Sequence, residues 1–405
     1  MKKLEIGKLK LLKTLNGYRI ESVVTKDDQK FTLFMEYNVN DAHWFDIEYA
    51  DPFFVALFPY ALEFGYDIYT ENPVSSSIFY GLVKDFMPTV CKFLPFFNEI
   101  KVNCDLKDKE FSKKEKIVGT GVSCGIDSFD TIIENLSKYN DIPASCSINR
   151  LFLLNTGACG RKGGEESLKR FQSEIDRAQC VCSELNIELI TINTNLMEFY
   201  KIDHSHSDYL RIAGCLLGLD KVLESYYFAG GYDLGKFAFK NDDAYYLLFT
   251  LSCISDKNLV FKLVGSYKTR FDKVRYISNY PITYKYLTVC WNHDINCGKC
   301  EKCIRTMGAL YAIDRLDYYS ESFDVLKFQR NIIFNISKML YFKLKSPYFY
   351  DFVKSIRKKH FWKYTLAIFV FIFYTLPVYG TIDLFKILIP KNSKLRKRIK
   401  KILKK

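Results

Sequence analysis

From Lys116 onward the chain alternates short β-rich runs with helical periodicity, a pattern that few folds accommodate. The runs Ile117 to Val122, Leu151 to Asn155, Ile187 to Ile192 and Tyr226 to Ala229 read as strands, separated by the length that a βαβ unit needs. Between them lie three apolar sets: Phe129, Ile132, Ile133, Leu136; then Leu168, Phe171, Ile175, Ala178, Cys182, Leu185; then Leu210, Ala213, Leu217. Their spacing places each set on one helix face. The pattern predicts an α/β fold, a parallel sheet with helices on both faces, in which ligands sit at the carboxyl ends of the strands.

Two further regions flank this one. Residues 1–115 read as an α+β unit with a strand at Phe31 to Tyr37 and a helix over Asp51 to Gly65. Asp51 is expected as N-cap, Pro52 in the first turn, Gly65 as the stop and Pro59 as a kink or break. A second helix is expected over Val74 to Met87, a strand over Lys101 to Leu106, and a charged linker over Lys107 to Lys116. The central region then spans 116–310, and 311–405 is expected to be helical and basic. The formal charge is +13, but nine Lys or Arg and no acid lie between Lys391 and Lys405, and the remainder carries only +4. A body so mildly basic argues against a nucleic-acid stripe.

Where the first β run ends stands Ser123-Cys124-Gly125-Ile126-Asp127-Ser128, followed at once by a helical pattern. In this strand–loop–helix arrangement Gly125 is expected to make a tight turn and Ser128 to serve as N-cap or pyrophosphate ligand. The free N–H groups and the helix dipole cradle a phosphate chain. Asp127 is a candidate for holding Mg²⁺, a hard cation that takes carboxylate oxygens.

Thirteen cysteines, an odd number, behind a Met-Lys-Lys-Leu start without the features of a signal peptide, point to a reducing cytoplasm rather than a disulfide framework. Four of them, Cys290, Cys297, Cys300 and Cys303, are bunched at spacings of seven, three and three. Four thiolates in overlapping Cys-x-x-Cys steps suit a closed tetrahedral Zn²⁺ site, with Gly298 where a knuckle turns. An iron–sulfur cluster, a redox pair and ordinary buried thiols are the alternatives, and His293 can substitute for one sulfur.

SCGIDS resembles the S-G-G-x-D-S signature of the PP-loop (N-type) ATP pyrophosphatase family, with Cys124 replacing the first Gly and bringing a thiol beside the phosphates. With the late CGKCEKCIRT cluster containing Arg305, the region from Lys116 to Leu310 is similar to the 7-cyano-7-deazaguanine synthases of queuosine biosynthesis. The resemblance implies an ATP-dependent ligase. A small-molecule or peptide carboxylate would be adenylated with release of pyrophosphate, then converted by ammonia or an amine to an amide or nitrile. The alternatives are a nucleotide-binding module that no longer catalyses and a PP-loop sulfur transferase acting on RNA.

On this reading ATP meets Ser123, Cys124, Gly125, Ile126, Asp127 and Ser128. Thr194 and Asn195 after the third strand, with His204 and His206 just beyond, are candidates to line the nucleotide pocket. Arg270 and Lys273 are candidates to neutralise the triphosphate, and Gly230, Gly231 and Lys236 form a loop able to approach a ligand. Finally, 19 uncharged residues between Lys363 and Asp383, flanked by Arg357-Lys358-Lys359 and the Lys391 to Lys405 tail, are long enough to enter a membrane. With both flanks positive, an interfacial or re-entrant segment at the inner face of an anionic membrane is expected, bent at Pro377 and Gly380; the alternative is a buried helix of an ordinary C-terminal domain, with the tail solvated or bound to RNA.

Overall fold

The structure is a computed structural model that describes residues 2–110, 115–200, 207–290 and 295–388, the last four without side chains. It divides into two compact units, Met1–Lys273 and Val274–Lys405. The fold is α/β, with a large mixed sheet flanked by helices in the first unit.

The strands of that unit are β1 (Lys3–Ile6), β2 (Lys10–Lys13), β3 (Tyr18–Lys26), β4 (Gln29–Tyr37), β5 (Asp67–Thr70), β6 (Val74–Ser75), β7 (Val102–Asn103), β8 (Leu106–Lys107), β9 (Ile117–Gly121), β10 (Arg150–Leu154), β11 (Glu188–Thr194), β12 (Leu223–Ala229) and β13 (Val260–Val264). Eleven of them form one sheet in the order β13-β12-β9-β10-β11-β4-β3-β1-β5-β7, with β2 beside β3, while β6 pairs with β8. β9 to β13 run parallel to one another. β9 and β10 are buried almost throughout, as expected of strands covered on both faces.

From the N-terminal region β1 to β5 and β7 extend this sheet, and the short β6–β8 pair stands apart from it. β4 adds antiparallel to β11, and β3 and β4 make a hairpin whose two turn residues, Asp27 and Asp28, both have positive φ, as a primed turn requires. The helix Asp51–Phe64 packs on the helix Asp208–Leu217, and Gly214 permits the close approach. A Cβ there would lie 2.5 Å from the carbonyl oxygen of Pro52.

Several local expectations change. Ala50, not Asp51, is the N-cap, and the Asp51 carboxylate instead accepts from Ser75 N at 2.9 Å and from Lys109 Nζ at 3.0 Å. The helix runs unbroken through Pro59, because it is buried on every side from Asp51 to Leu62, and Gly65 ends it at φ 67° as anticipated. Helix continues beyond Met87 to Phe93, with a π-helical stretch at Tyr80–Phe86, and the strand expected over Lys101 to Leu106 is two short pieces.

The supposed linker is pinned inside the unit. Lys109 is buried with its Nζ 3.5 Å from Asp46, 3.0 Å from Asp51 and 2.5 Å from Asp220, and its carbonyl accepts from Asn258 Nδ2 at 3.0 Å. Three carboxylates face one ammonium in a dry site, so one of them does better protonated. Burial pushes the Asp220 carboxyl up to about 6, against the opposing pull of Lys109. An acid whose folded pKa lies above its unfolded value of about 3.9 binds its proton more tightly when folded. This contribution is therefore full below about pH 4 and is lost as pH rises to about 6. The loss is at most about 3 kcal/mol. Asp220→Asn keeps an acceptor for Lys109 and removes the titration. Denaturant unfolding of both proteins should show wild type losing stability relative to the variant between pH 4 and 7, whereas a constant difference would contradict the assignment.

Candidate functional site

The parallel strands β11-β10-β9-β12-β13 form a doubly wound set: from β9 the chain first fills one side, then returns to fill the other. The order reverses at β9, and the crevice at its carboxyl end is where open α/β sheets bind ligands. The segment 123–128 stands at that end: Ser123 to Gly125 lead from β9 into the helix Ile126–Glu134, whose first turn supplies Ile126, Asp127 and Ser128.

The turn is made by an unexpected residue. Cys124 has φ 54°, in the left-handed region that costs a side-chain-bearing residue roughly 1–2 kcal/mol, while Gly125 has an ordinary φ of −86°. The Cys124 thiol is only 1% exposed and lies among groups of the helix Gly164–Leu185, including Arg177, Glu174 and Cys182. Burial pushes it up to about 12. It is thus an inert buried group and not a thiol open to a phosphate in the crevice.

Ser128 is not the N-cap. Its Oγ donates to the carbonyl of Gly121 at 2.8 Å and accepts from Ser123 N at 3.1 Å, closing the loop against the end of β9. Gly125 caps the helix without a side chain, so the first-turn N–H groups of Ile126, Asp127 and Ser128 receive no side-chain cap. This is the arrangement that attracts anions. Ser123 Oγ accepts from Gly125 N at 3.4 Å.

The side chains around this loop are an ion-pair network. Asp127, in the first turn, pairs with Arg270 through one oxygen and with Lys273 Nζ at 3.3 Å through the other. Burial works against its charge, but Arg270 and Lys273 together outweigh it and hold the carboxyl below its ordinary value. Lys273 is buried and also donates to the carbonyl of Gly230 at the end of β12. One turn further along the helix, buried Asp130 pairs with Lys268 at 2.9 Å, and Glu134 meets the same lysine at 3.1 Å. Gly265, at φ 68°, begins the segment that brings Lys268, Arg270 and Lys273 to the helix; a Cβ there would sit 2.9 Å from Asp130 Oδ2. Asp130, Glu134 and Lys268 were not anticipated, although Asp127, Asp130 and Glu134 stand three and seven residues apart, one face of a helix.

A second cluster faces the carboxyl end of β10. Arg211 is buried, donates to the Thr156 carbonyl at 3.2 Å, bonds Ser207 Oγ and Asp208, and lies 5.0 Å from the Tyr200 ring. Nearby Asp243 accepts from Tyr209 N at 3.3 Å; burial first, then the Asp208 carboxylate, push its carboxyl well above the ordinary range. The sequence offers no local sign of this cluster, since Arg211 sits among the apolar residues of its helix.

Other candidates separate. Thr194 Oγ1 donates to the Phe34 carbonyl at 2.6 Å, and Asn195 accepts from Phe34 N at 3.0 Å and donates to the Thr32 carbonyl at 2.9 Å. Their polar groups are committed to β4, the seam with the N-terminal strands, and not to a pocket. Lys236 pairs with Asp233. His204 and His206 lie outside the described residues, as does His293.

In the second unit the sulfurs of Cys290, Cys297, Cys300 and Cys303 all lie within 4.8 Å of one another, with Cys290–Cys300 and Cys297–Cys303 each 3.9 Å apart. A tetrahedron of four sulfurs at zinc–thiolate bond length has edges of about 3.8 Å. Gly298 turns the knuckle at φ 67°, and Cys300 N and Cys303 N donate to the sulfurs of Cys297 and Cys300 at 3.3 and 3.5 Å. Cys300 caps the helix Glu301–Ala312, and its contact with Cys303 favours one thiolate in the pair, drawing the Cys300 thiol below its ordinary value. The cluster can hold a metal ion and is compatible with zinc. Compared with protein-family models, curated proteins and solved structures, the chain matches none.

The buried position of Cys124 has a direct chemical consequence. In the native protein iodoacetamide should label exposed Cys180 and leave Cys124 unmodified at pH 8, as read by peptide mass spectrometry. Rapid labelling of Cys124, slowed by ATP, would show instead that its thiol faces the crevice.

Proposed function

We propose that the first unit is an ATP-dependent adenylating enzyme of the PP-loop type, a ligase that joins a carboxylate to a nitrogen nucleophile. One observation carries the proposal. The SCGIDS loop lies at the switch point of a doubly wound sheet, opens a helix without a side-chain cap, and has Arg270 and Lys273 held beside it by Asp127. The pyrophosphate end of ATP would take the N–H groups at the helix start, with Ser123 as a further ligand and Ser128 keeping the loop closed. The substrate carboxylate oxygen attacks the α-phosphorus, and the bond to the β-bridging oxygen breaks. Arg270 and Lys273 stabilise the charge that moves onto the departing pyrophosphate. The nitrogen nucleophile then attacks the acyl carbon and AMP leaves, giving an amide. Where the nucleophile is ammonia, a second ATP would adenylate the primary amide on its oxygen, and loss of AMP with the two N–H protons would give a nitrile.

Asp127 as found does not fit a Mg²⁺ ion, because each of its oxygens already faces a cation. Its role here is to position Arg270 and Lys273, and no step is assigned to Mg²⁺ at that carboxylate. Zn²⁺ in the four-cysteine cluster would be structural: four thiolates leave no open coordination position for chemistry.

A second reading, a nucleotide-binding module without catalysis, is favoured by a single feature, the left-handed Cys124 at the turn. Cys124→Gly separates the two. An enzyme retains turnover when the strain is relieved, whereas a binding module shows ATP binding and no pyrophosphate release in either form.

With ATP, Mg²⁺, an amine and a pool of metabolite carboxylates, purified protein should form AMP and pyrophosphate. Arg270→Ala should lower kcat/KM by about 10² or more, and the absence of AMP under all conditions would defeat the enzymatic reading. For the metal, elemental analysis should find about one zinc per chain, and Cys297→Ser or Cys300→Ser should release it and lower Tm. Iron with visible absorbance, or a metal-free stable protein, would overturn that assignment.

A further inference from the structure

The second unit carries an exposed apolar stripe at its C-terminal end, on helix Phe361–Leu384. This helix is long and apolar enough to cross a membrane, yet only 11% of its most apolar stretch is buried. Trp362, Leu366, Phe369, Phe373, Leu376 and Leu384 follow one another at three-, four- and eight-residue steps and so lie on one face. All six are exposed, Trp362 and Phe373 by 78%. On the opposite face Ala367 and Thr375 are wholly buried.

That opposite face is committed to the second unit. Thr375 Oγ1 and Ser337 Oγ are hydrogen-bonded at 2.8 Å, Tyr374 meets Phe334, Tyr379 meets Tyr341, and Asp383 is held by the Tyr341 hydroxyl and Lys345. These contacts run from one end of the helix Ile332–Lys343 to just beyond the other. A membrane-spanning orientation would drag that helix, with Lys338 and Asn335, into hydrocarbon. Pro377 does not end the helix. A π-helical stretch at Phe371–Thr375 precedes the proline, and Leu376 N bonds Phe371 O, a shift of register that lets the helix continue to Leu388.

We infer that this helix lies in the plane of an anionic bilayer, with the Trp362–Leu384 stripe buried among the acyl chains and its other face fixed to the protein. The charge around the stripe selects the partner. Arg357, Lys358 and Lys359 are exposed just before the helix, Lys363 stands at its start, and the sequence places nine basic residues and no acid in 391–405. An exposed apolar face, an interfacial tryptophan and flanking cations are what an in-plane helix on anionic lipid requires. A second copy of this chain would bring the same cations together and be repelled.

The test uses the full chain with vesicles of phosphatidylcholine alone or with phosphatidylglycerol. Flotation should recover the protein with the anionic vesicles only, and less of it as salt rises. Phe369→Glu with Phe373→Glu, both exposed, should weaken binding at least about tenfold while zinc content and circular dichroism stay unchanged. Quenching of Trp362, and of a tryptophan introduced by Phe373→Trp, by lipids brominated at known depths should put both residues at one shallow depth. The inference falls if the protein ignores anionic vesicles at low salt. It also falls if position 373 lies at the bilayer centre with Trp362 at the surface, the signature of a span, or if the stripe instead drives dimerisation that the double variant abolishes.

Discussion

The first unit depends on one carboxylate. Asp127 stands in the first turn after β9 and reaches Arg270 and Lys273, 143 and 146 residues away in the chain. Lys273 in turn holds the carbonyl of Gly230. One ion-pair node thereby ties the ends of β9, β12 and β13, the three strands beside the point where strand order reverses. Removing the carboxylate leaves buried Lys273 and half-buried Arg270 without their shared counter-charge, which destabilises the end of the sheet. The same node keeps the cations beside the helix start, so the loop geometry and the anion-attracting character of the crevice have a common origin. The Asp130, Glu134 and Lys268 pairs repeat the device one turn further along the helix.

This arrangement gives the loop its chemistry. The uncapped helix start offers N–H donors, Ser128 holds the backbone against β9, and the cations stand ready without being free to collapse onto the loop. On the proposed function an incoming polyphosphate would compete with Asp127 for Arg270 and Lys273, so that binding and reorganisation of the node would be one event. Cys124 adopts the backbone conformation that glycine adopts at less cost, and its thiol is turned into the protein, so its presence at the turn concerns strain more than reactivity.

Much of this was legible because it is local. β9, β10, β11 and β12 are short apolar runs bounded by helical periodicity, and the loop and the cysteine knuckles are contiguous motifs. β13 escaped notice because VFKLV is five residues long with a lysine at its centre. The joining of residues 1–115 to the sheet rests on the β4–β11 pairing, a contact between distant segments that leaves no periodic mark. Lys109 looked like part of a charged linker, since its three buried partners, Asp46, Asp51 and Asp220, lie far from it in sequence. Thr194 and Asn195 were placed correctly at the end of a strand, but sequence could not reveal that β4 takes up their hydrogen bonds. The apolar C-terminal segment was visible; its commitment on one face was not, because its partners Ser337 and Tyr341 belong to a separate helix and Lys345 lies just beyond it.

The most direct test of adenylation is isotope exchange between labelled pyrophosphate and ATP, which follows the α–β bond and needs no nitrogen nucleophile. With a carboxylate substrate present, wild-type protein should incorporate the label into ATP, and Arg270→Ala should do so far more slowly. If every carboxylate tried leaves ATP unlabelled while the protein releases ADP and phosphate, the bond broken is the β–γ bond and the adenylation account is wrong.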